Sequence, residues 1–348
     1  MTKYNNILIV RTDRIGDVVL TLPLVTLIKK HYPNSKITFL LREYTKSLTQ
    51  NNPFIDKTIT LKNEDKKYLF GFLGKVIANV KQLKNKYDVC IVASPSFLIA
   101  LVIFLSKIKV RIGTAYRWYS FFFNKKIYEH RKYGQRHELE FNVRMLKSIG
   151  IDENINENNV SFNLHVTKKS EQFVENLLNE IPVKQNEKMI ICHPGSGGSA
   201  VDLPIGKFKE LIELLVHNMI VDIILITGSK NEESLCNQLV INQKTKNLAG
   251  QTNLEEMIAL INKAELVISN STGPIHLAAA LGKKVVGFYP NIISCSPKRW
   301  GPYTTKKLIF TPEINCKKCT LAQCKKLNCM ESINIEKVFL SISNFLKN

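Results

Sequence analysis

The chain has 348 residues, with 49 Lys+Arg against 29 Asp+Glu and a formal net charge of +20. At about 150 residues per domain this length suits two domains with a core in each, and 45% hydrophobic with 22% charged residues excludes a disordered tail protein. The longest apolar run, Phe97–Leu105, falls short of the ~20 residues of a membrane-spanning helix and lies too far from Met1 for a signal peptide, so a soluble cytoplasmic protein with an anionic partner is expected.

In chain order, Ile7–Val10 reads as a short buried strand, followed by a turn and an amphipathic helical run from Asp17 to about His31. Strands are expected at Lys36–Leu41 and Thr58–Leu61, a helix from Tyr68 to about Leu83, and further strands at Tyr87–Ala93 and Val110–Gly113. A helix over Val166–Ile181 and a polar break at Pro182–Lys188 separate this series from a second one. The second series has strands Met189–Cys192, Ile223–Thr227, one closing at Leu248-Ala249-Gly250, Leu266–Ser269 and Lys284–Tyr289. Helices are expected at Pro204–His217 and Thr272–Leu281, with Pro204 in a first turn. Two series of βα units imply two Rossmann-type, doubly wound α/β domains in tandem. The boundaries expected are 1–165 for the first domain, 166–188 for a linker helix and break, and 189–348 for the second domain with a final helix.

Ligands of doubly wound sheets lie beyond the carboxyl ends of the strands, and three clusters fall there. The first is Arg11-Thr12-Asp13-Arg14-Ile15-Gly16-Asp17. A carboxylate on this loop could take a proton from a hydroxyl; the competing reading makes Asp17 a helix cap worth about 1 kcal/mol. The second is the loop His193-Pro194-Gly195-Ser196-Gly197-Gly198-Ser199, whose small residues let backbone N–H groups approach an anion. The third, Ser269 to Ala280, opens a helix of small residues with Ser271, Thr272 and Gly273 and suits close approach to a diphosphate. His276 in that helix also reads as a packed core histidine. The P-loop ending Gly-Lys-Ser/Thr and a G-x-G-x-x-G after the first strand are both missing, which argues against those nucleotide folds.

Together the clusters resemble glycosyltransferase family 9, the ADP-heptose:lipopolysaccharide heptosyltransferases and their relatives. The resemblance rests on Ile7–Pro23 (ILIVRTDRIGDVVLTLP), His193-Pro194-Gly195-Ser196, Asn247-Leu248-Ala249-Gly250-Gln251-Thr252, Ser271–Ala279 (STGPIHLAA) and Arg299-Trp300-Gly301-Pro302. It implies the GT-B type of fold, two Rossmann-like doubly wound domains facing a central cleft. It implies an inverting transfer from a nucleotide sugar that needs no metal or other cofactor, with Asp17 as general base and Asp13, Arg14 and Gly16 supporting it on the acceptor side. The donor, ADP-heptose by resemblance, would meet Ser196, Gly197, Gly198 and Ser199 with Thr272 and Gly273 at its diphosphate, and Ser271 and His276 also on the donor side. Gly228 and Ser229 would lie at the ribose, and Leu248, Ala249 and Gly250 near the base. The acceptor would be an anionic glycolipid at the inner leaflet, with the enzyme peripheral on that membrane and no nucleic acid partner. Three positions, in two motifs, depart from the family pattern. Val201-Asp202-Leu203-Pro204 stands where heptosyltransferases carry K-x-W-P, and Ser271 stands where an Asp is frequent. Stabilising the leaving group would then fall to backbone amides, hydroxyls or another basic residue such as Arg14 or Arg299. The alternatives are a same-family enzyme with another nucleotide sugar or a protein acceptor, and a catalytically silent glycan- or nucleotide-binding protein.

Four of the eight cysteines form C-x2-C-x4-C-x4-C, namely Cys316, Cys319, Cys324 and Cys329. Four thiolates at this spacing suit a tetrahedral structural zinc or iron; reduced thiols and a disulfide pair are the alternatives.

Overall fold

A computed structural model of the chain describes residues 4–62, 71–181, 187–198, 200–314, 320, 322, 326 and 328–347. The chain divides into two compact units, Met1–Arg131 with Glu138–His165, and Lys132–His137 with Val166–Asn348. The helix expected as a linker therefore groups with the second unit.

In the first unit, β1 (Asn6–Val10) is apolar and buried from Ile7 to Val10, as a central parallel strand requires. It is followed by α1 (Ile15–Val19), α2 (Pro23–His31), β2 (Lys36–Leu41), β3 (Lys57–Thr60), α3 (Gly71–Leu83), β4 (Val89–Val92), α4 (Phe97–Leu105), β5 (Val110–Thr114), β6 (Lys125–Ile127) and α5 (Glu138–Arg144). The single helical run expected over Asp17–His31 is two helices, because Pro23 opens a new first turn after Leu20–Leu22. All described strands are parallel in the order β3-β2-β1-β4-β5-β6, with Ile7 paired to both Ile37 and Val89. One core cluster fills the space between β1, β4, α3 and α4, centred on Leu8, Val10, Val92 and Ile103.

The second unit has α6 (Lys168–Glu180), β7 (Met189–His193), α7 (Ile205–His217), β8 (Ile223–Ile226), α8 (Glu233–Asn237), β9 (Thr245–Asn247), α9 (Leu254–Lys263), β10 (Leu266–Asn270), α10 (Gly273–Ala280), β11 (Lys284–Phe288), α11 (Pro297–Trp300), β12 (Lys307–Phe310) and a helix at Ile335–Lys347. Its sheet runs β12-β11-β10-β7-β8-β9, again all parallel. Counted from its own first strand, this is the same 3-2-1-4-5-6 order as the first sheet, the doubly wound Rossmann arrangement. Its core joins β7, β8 and β10 to α7 and the helix Ile335–Lys347 through Phe208, Ile226, Ile268 and Val338. Two such domains make the GT-B type of fold.

Strand order reverses between β1 and β4 in the first sheet and between β7 and β10 in the second. Ligands of this fold bind at such switch points, so each unit has one predetermined place for chemistry.

Candidate active site

At the first switch point the chain leaves β1 through Arg11, whose N–H still donates to Leu40 O at 3.0 Å. Its side chain is only 2% exposed. The guanidinium ion-pairs with Asp17, lies 3.3 Å from Asp13 and 3.4 Å from Glu138 Oε1, and donates to Ala93 O (3.2 Å) and Asn142 Oδ1 (3.3 Å). Burial works against the Arg11 charge, yet Asp17, Asp13 and Glu138 hold its pKa above the ordinary value. Thr12 N–H donates to Ser94 Oγ at 2.8 Å, which ties the loop to the end of β4.

Asp17 sits in the first turn of α1, where its second oxygen accepts from the exposed Arg14 N–H at 3.3 Å. Capping and chemistry are therefore not exclusive: one oxygen faces Arg11 while the other closes the turn. Burial raises the Asp17 pKa, Arg11 lowers it, and Asp13 and Glu138 raise it; the balance is upward. A carboxylate kept ionised by one arginine but made more basic by burial and two acidic neighbours is suited to accept a proton. Gly16 is buried, Asp13 half-buried, and Tyr44 OH donates to Asp13 O at 2.8 Å.

Sequence reading missed the far side of this network. Glu138 is 2% exposed, ion-pairs with Arg131 as well as Arg11, and opens α5. One turn on, Asn142 Nδ2 donates to Leu20 O (3.1 Å) and Thr21 Oγ1 (3.2 Å), fixing α5 against the end of α1. The available signal was the Glu138/Asn142 spacing of four, which places both on one helix face.

At the second switch point β7 runs into the glycine loop. His193 is buried with Nδ1 3.0 Å from Thr227 Oγ1; burial lowers its pKa to about 4, against the pull of Glu232. Gly197 and Gly198 take φ of +55° and +74°, a backbone that glycine adopts without strain, and neither has a neighbour where a Cβ would stand. The loop is held by Asn270, whose Nδ2 donates to Pro194 O (2.6 Å) and whose Oδ1 accepts from Leu203 N–H (2.9 Å). Ser196 Oγ is buried with no hydrogen-bond partner among the described residues. Ser199 lies outside the described residues.

Gly228 and Ser229 follow β8. Ser229 N–H and Oγ each donate to Glu232 Oε2 at 2.8 Å, and Gly197 N–H donates to the same carboxylate. Burial would raise the Glu232 pKa, but these donors and His193 bring it below the usual range. A Cβ at Gly195 would stand 2.0 Å from Glu232 Oε1, so any larger residue there would displace the end of that carboxylate. Glu232 is a second residue that sequence reading missed. Leu248 and Ala249 are buried, and Gly250 N–H donates to Gly228 O at 2.9 Å, so the loops after β8 and β9 lie side by side.

Thr272 is the N-cap of α10 and Gly273 its first residue, so free backbone donors of that helix open at the same switch point. The Ser271 hydroxyl bonds with the buried Tyr289. His276 is buried, its Nδ1 without a partner among the described residues; burial, with His137 adding, lowers its pKa to about 3 and keeps it neutral. Val201 and Leu203, the two departures before Pro204, are packed in the apolar core, so no cation reaches the loop from those positions. Of the cysteine cluster, Cys316, Cys319 and Cys324 lie outside the described residues. Cys329 is buried in the core of the second unit. Among the described residues no group of three metal-ligating side chains gathers, and no helix is long and apolar enough to cross a membrane.

Comparison with known proteins follows the same outline. The lipopolysaccharide heptosyltransferase 3 of Escherichia coli is 26% identical over 79% of this chain and 80% of its own length. A family 9 glycosyl transferase from Veillonella parvula shares the fold with a TM-score of 0.82 at 19% identity, covering 99% of this chain and 98% of that one. The E. coli ADP-heptose lps heptosyltransferase II does so with a TM-score of 0.76 at 19% identity, over 98% of both chains. The family model described as glycosyltransferase family 9 (heptosyltransferase) matches residues 76–330. The matched residues begin beyond the Asp17 loop, so the role of that loop rests on its geometry. A match running from α3 through the core of the second unit settles the membership: the chain belongs to glycosyltransferase family 9.

Proposed function

We propose that this enzyme moves heptose from ADP-heptose to a lipopolysaccharide-core or related surface-glycan acceptor in one inverting displacement, at the inner face of the cytoplasmic membrane. The family description and the name of the E. coli heptosyltransferase II support the donor. The observation that carries the mechanism is Asp17, at the exit of β1, paired to a buried arginine and made more basic than an ordinary carboxylate. The acceptor hydroxyl gives its proton to Asp17 and its oxygen attacks the anomeric carbon. The bond from that carbon to the diphosphate breaks, and ADP leaves. No metal takes part.

In the second unit, Ser196 to Ser199 with Thr272 and Gly273 would meet the diphosphate, and the unpartnered Ser196 Oγ supports that assignment. Backbone N–H groups and the start of α10 would stabilise the charge that develops on the leaving group. Arg14 and Arg299 are the candidates for the cation that Val201 cannot supply. Gly228 and Ser229 would lie at the ribose, where an acidic residue such as Glu232 accepts from its hydroxyls, with Leu248–Gly250 beside the base and Ser271 and His276 completing the pocket. Val201 and Ser271 favour one second reading, the same transfer with a different sugar on the nucleotide.

A structural zinc or iron on Cys316, Cys319, Cys324 and Cys329 is a separate part of the proposal. Cys329, the described member, is buried, as a thiolate held by a structural metal would be. Elemental analysis of anaerobically purified protein should then give near one metal per chain; folded, metal-free protein would end it.

The deciding experiment is a calorimetric titration with ADP, UDP and GDP. Selective ADP binding, followed by consumption of ADP-heptose in the presence of acceptor, is expected. A preference for UDP or GDP would remove heptose from the reading, and silence with all three would remove the transferase.

A further inference from the structure

One face of the first unit is out of keeping with the surface of a freely diffusing monomer. Phe72 (49% exposed), Trp118 (71%), Phe121 (63%) and Phe104 (45%) stand open to water, and ring contacts connect them into one patch. Phe97 stacks on Phe72 at 5.8 Å and on Trp118 at 4.8 Å, while Phe122 joins Phe97 (6.3 Å), Phe104 (5.1 Å) and Phe121 (4.3 Å). Leu73 and Ile77 extend the patch along α3, 62% and 59% exposed. Beneath it α4 is apolar on every side, its inner face in the core and Phe104 and Leu105 turned outward. A contiguous exposed apolar surface of this kind marks an interaction site.

The charge around the patch says which kind. From Gly71 to Tyr128 the sequence carries ten Lys+Arg and a single acid, Asp88. Arg111 lies 5.5 Å over the Phe104 ring. Lys107 and Lys109 follow α4, Arg117 precedes Trp118, and Lys125 and Lys126 follow Phe123; all five are exposed. Aromatic rings flanked by cations match the headgroup region of an anionic bilayer, where rings sit at the apolar boundary and basic side chains meet lipid phosphates. A protein partner's apolar face would not call for so one-sided a charge.

We propose that the surface formed by α3, α4 and the Arg117–Phe122 turn docks this unit on an anionic lipid bilayer, with Trp118 and Phe121 inserted at the headgroup boundary. The inference deepens the glycolipid-acceptor reading and rests on it for the choice of membrane, but its test is independent of transfer. Flotation with phosphatidylcholine vesicles, with and without phosphatidylglycerol, should recover the full-length protein only with the anionic vesicles, with a blue shift of Trp118 emission that salt reverses. The double variant W118S/F121S, altered only at exposed side chains, should lose vesicle binding by at least about tenfold while its calorimetric ADP affinity and melting temperature stay unchanged. K125E/K126E should lose the preference for anionic lipid. Equal flotation of wild type and W118S/F121S, or equal binding to neutral vesicles, would overturn the proposal. So would a Trp118-dependent dimer in sedimentation with no vesicle binding, which would assign the patch to a second copy of the chain. Vesicle binding by a protein that ignores ADP would leave the docking surface standing and remove the transferase reading alone.

Discussion

Arg11 brings one positive charge to three carboxylates, Asp13, Asp17 and Glu138. That imbalance suits Asp17 to the proposed role of base, because an acid fully neutralised by its own arginine would be a weak base. Replacing Asp17 with Asn keeps the shape and leaves Arg11 two partners, so the fold should hold. Turnover should fall by roughly 10²–10⁴, with ADP affinity unchanged by calorimetry; unchanged turnover would remove Asp17 from the base role. The pH dependence has a definite sign. With Asp17 as the proposed base, kcat/KM should fall as pH drops through the Asp17 pKa, and the raised value puts that fall at higher pH than for a solvent-exposed Asp. Glu138→Gln removes a charge that raises the Asp17 pKa and leaves more of Arg11 to lower it. Both effects move the acid limb of the profile to lower pH, by up to about one unit. A limb that stays in place would show that Glu138 acts through packing alone.

At the scale of elements, the loops after β1, β7 and β10 were legible in the sequence and much of their support was not. Glycines and hydroxyls in short runs after apolar strands mark turns directly. Glu138, Asn142 and Glu232 were hidden, as was the bracing role of Asn270 within the third cluster, because each acts on a loop distant in sequence, and a polar residue on a helix or strand end reads as solvated until its partner is known. The helix α4 was hidden for the opposite reason: an all-apolar stretch has no period to read. The strand β6, Lys-Lys-Ile, sits at the sheet edge and lacks the buried apolar run of a central strand. Gly195 shows how closely these elements are fitted. The atoms nearest a Cβ at that position are all in the carboxyl end of Glu232, 2.0 Å to Oε1 and 2.4 Å to Cδ. That flexible tip can swing away, so Gly195→Ala should cost the fold no more than about 1 kcal/mol. It should also release the Ser229 and Gly197 N–H groups that Glu232 binds. If the carboxylate belongs to the donor pocket, ADP affinity should fall by roughly tenfold, about 1.4 kcal/mol, with the melting temperature little changed. A large loss of stability with intact ADP binding would make Glu232 a structural brace.

On the scale of the whole molecule, two successive series of strands and helices in the sequence become two sheets of identical 3-2-1-4-5-6 order. Parallel sheets need buried, near-continuous apolar strands and crossover helices, so the rhythm alone carried most of the fold. What the rhythm could not show is which unit binds which substrate, because both have an equivalent switch point. The difference lies in the chemistry at each: the first unit offers three carboxylates against Arg11 and Arg131, an acidic balance that repels a diphosphate, and the second offers open glycines, an unpartnered serine hydroxyl and the start of α10. Donor binding should therefore be local. Hydrogen–deuterium exchange with ADP in excess should slow peptides spanning Gly195–Gly198, Gly228–Ser229, Leu248–Gly250 and Thr272–His276, because ligand binding suppresses local opening in proportion to RT ln(1 + [L]/Kd). Peptides spanning Arg11–Asp17 and Glu138–Asn142 should exchange as before. Protection of the Arg11–Asp17 loop without the glycine loop would reverse the assignment, giving the nucleotide to the first unit and leaving Asp17 among its ligands instead of at the acceptor.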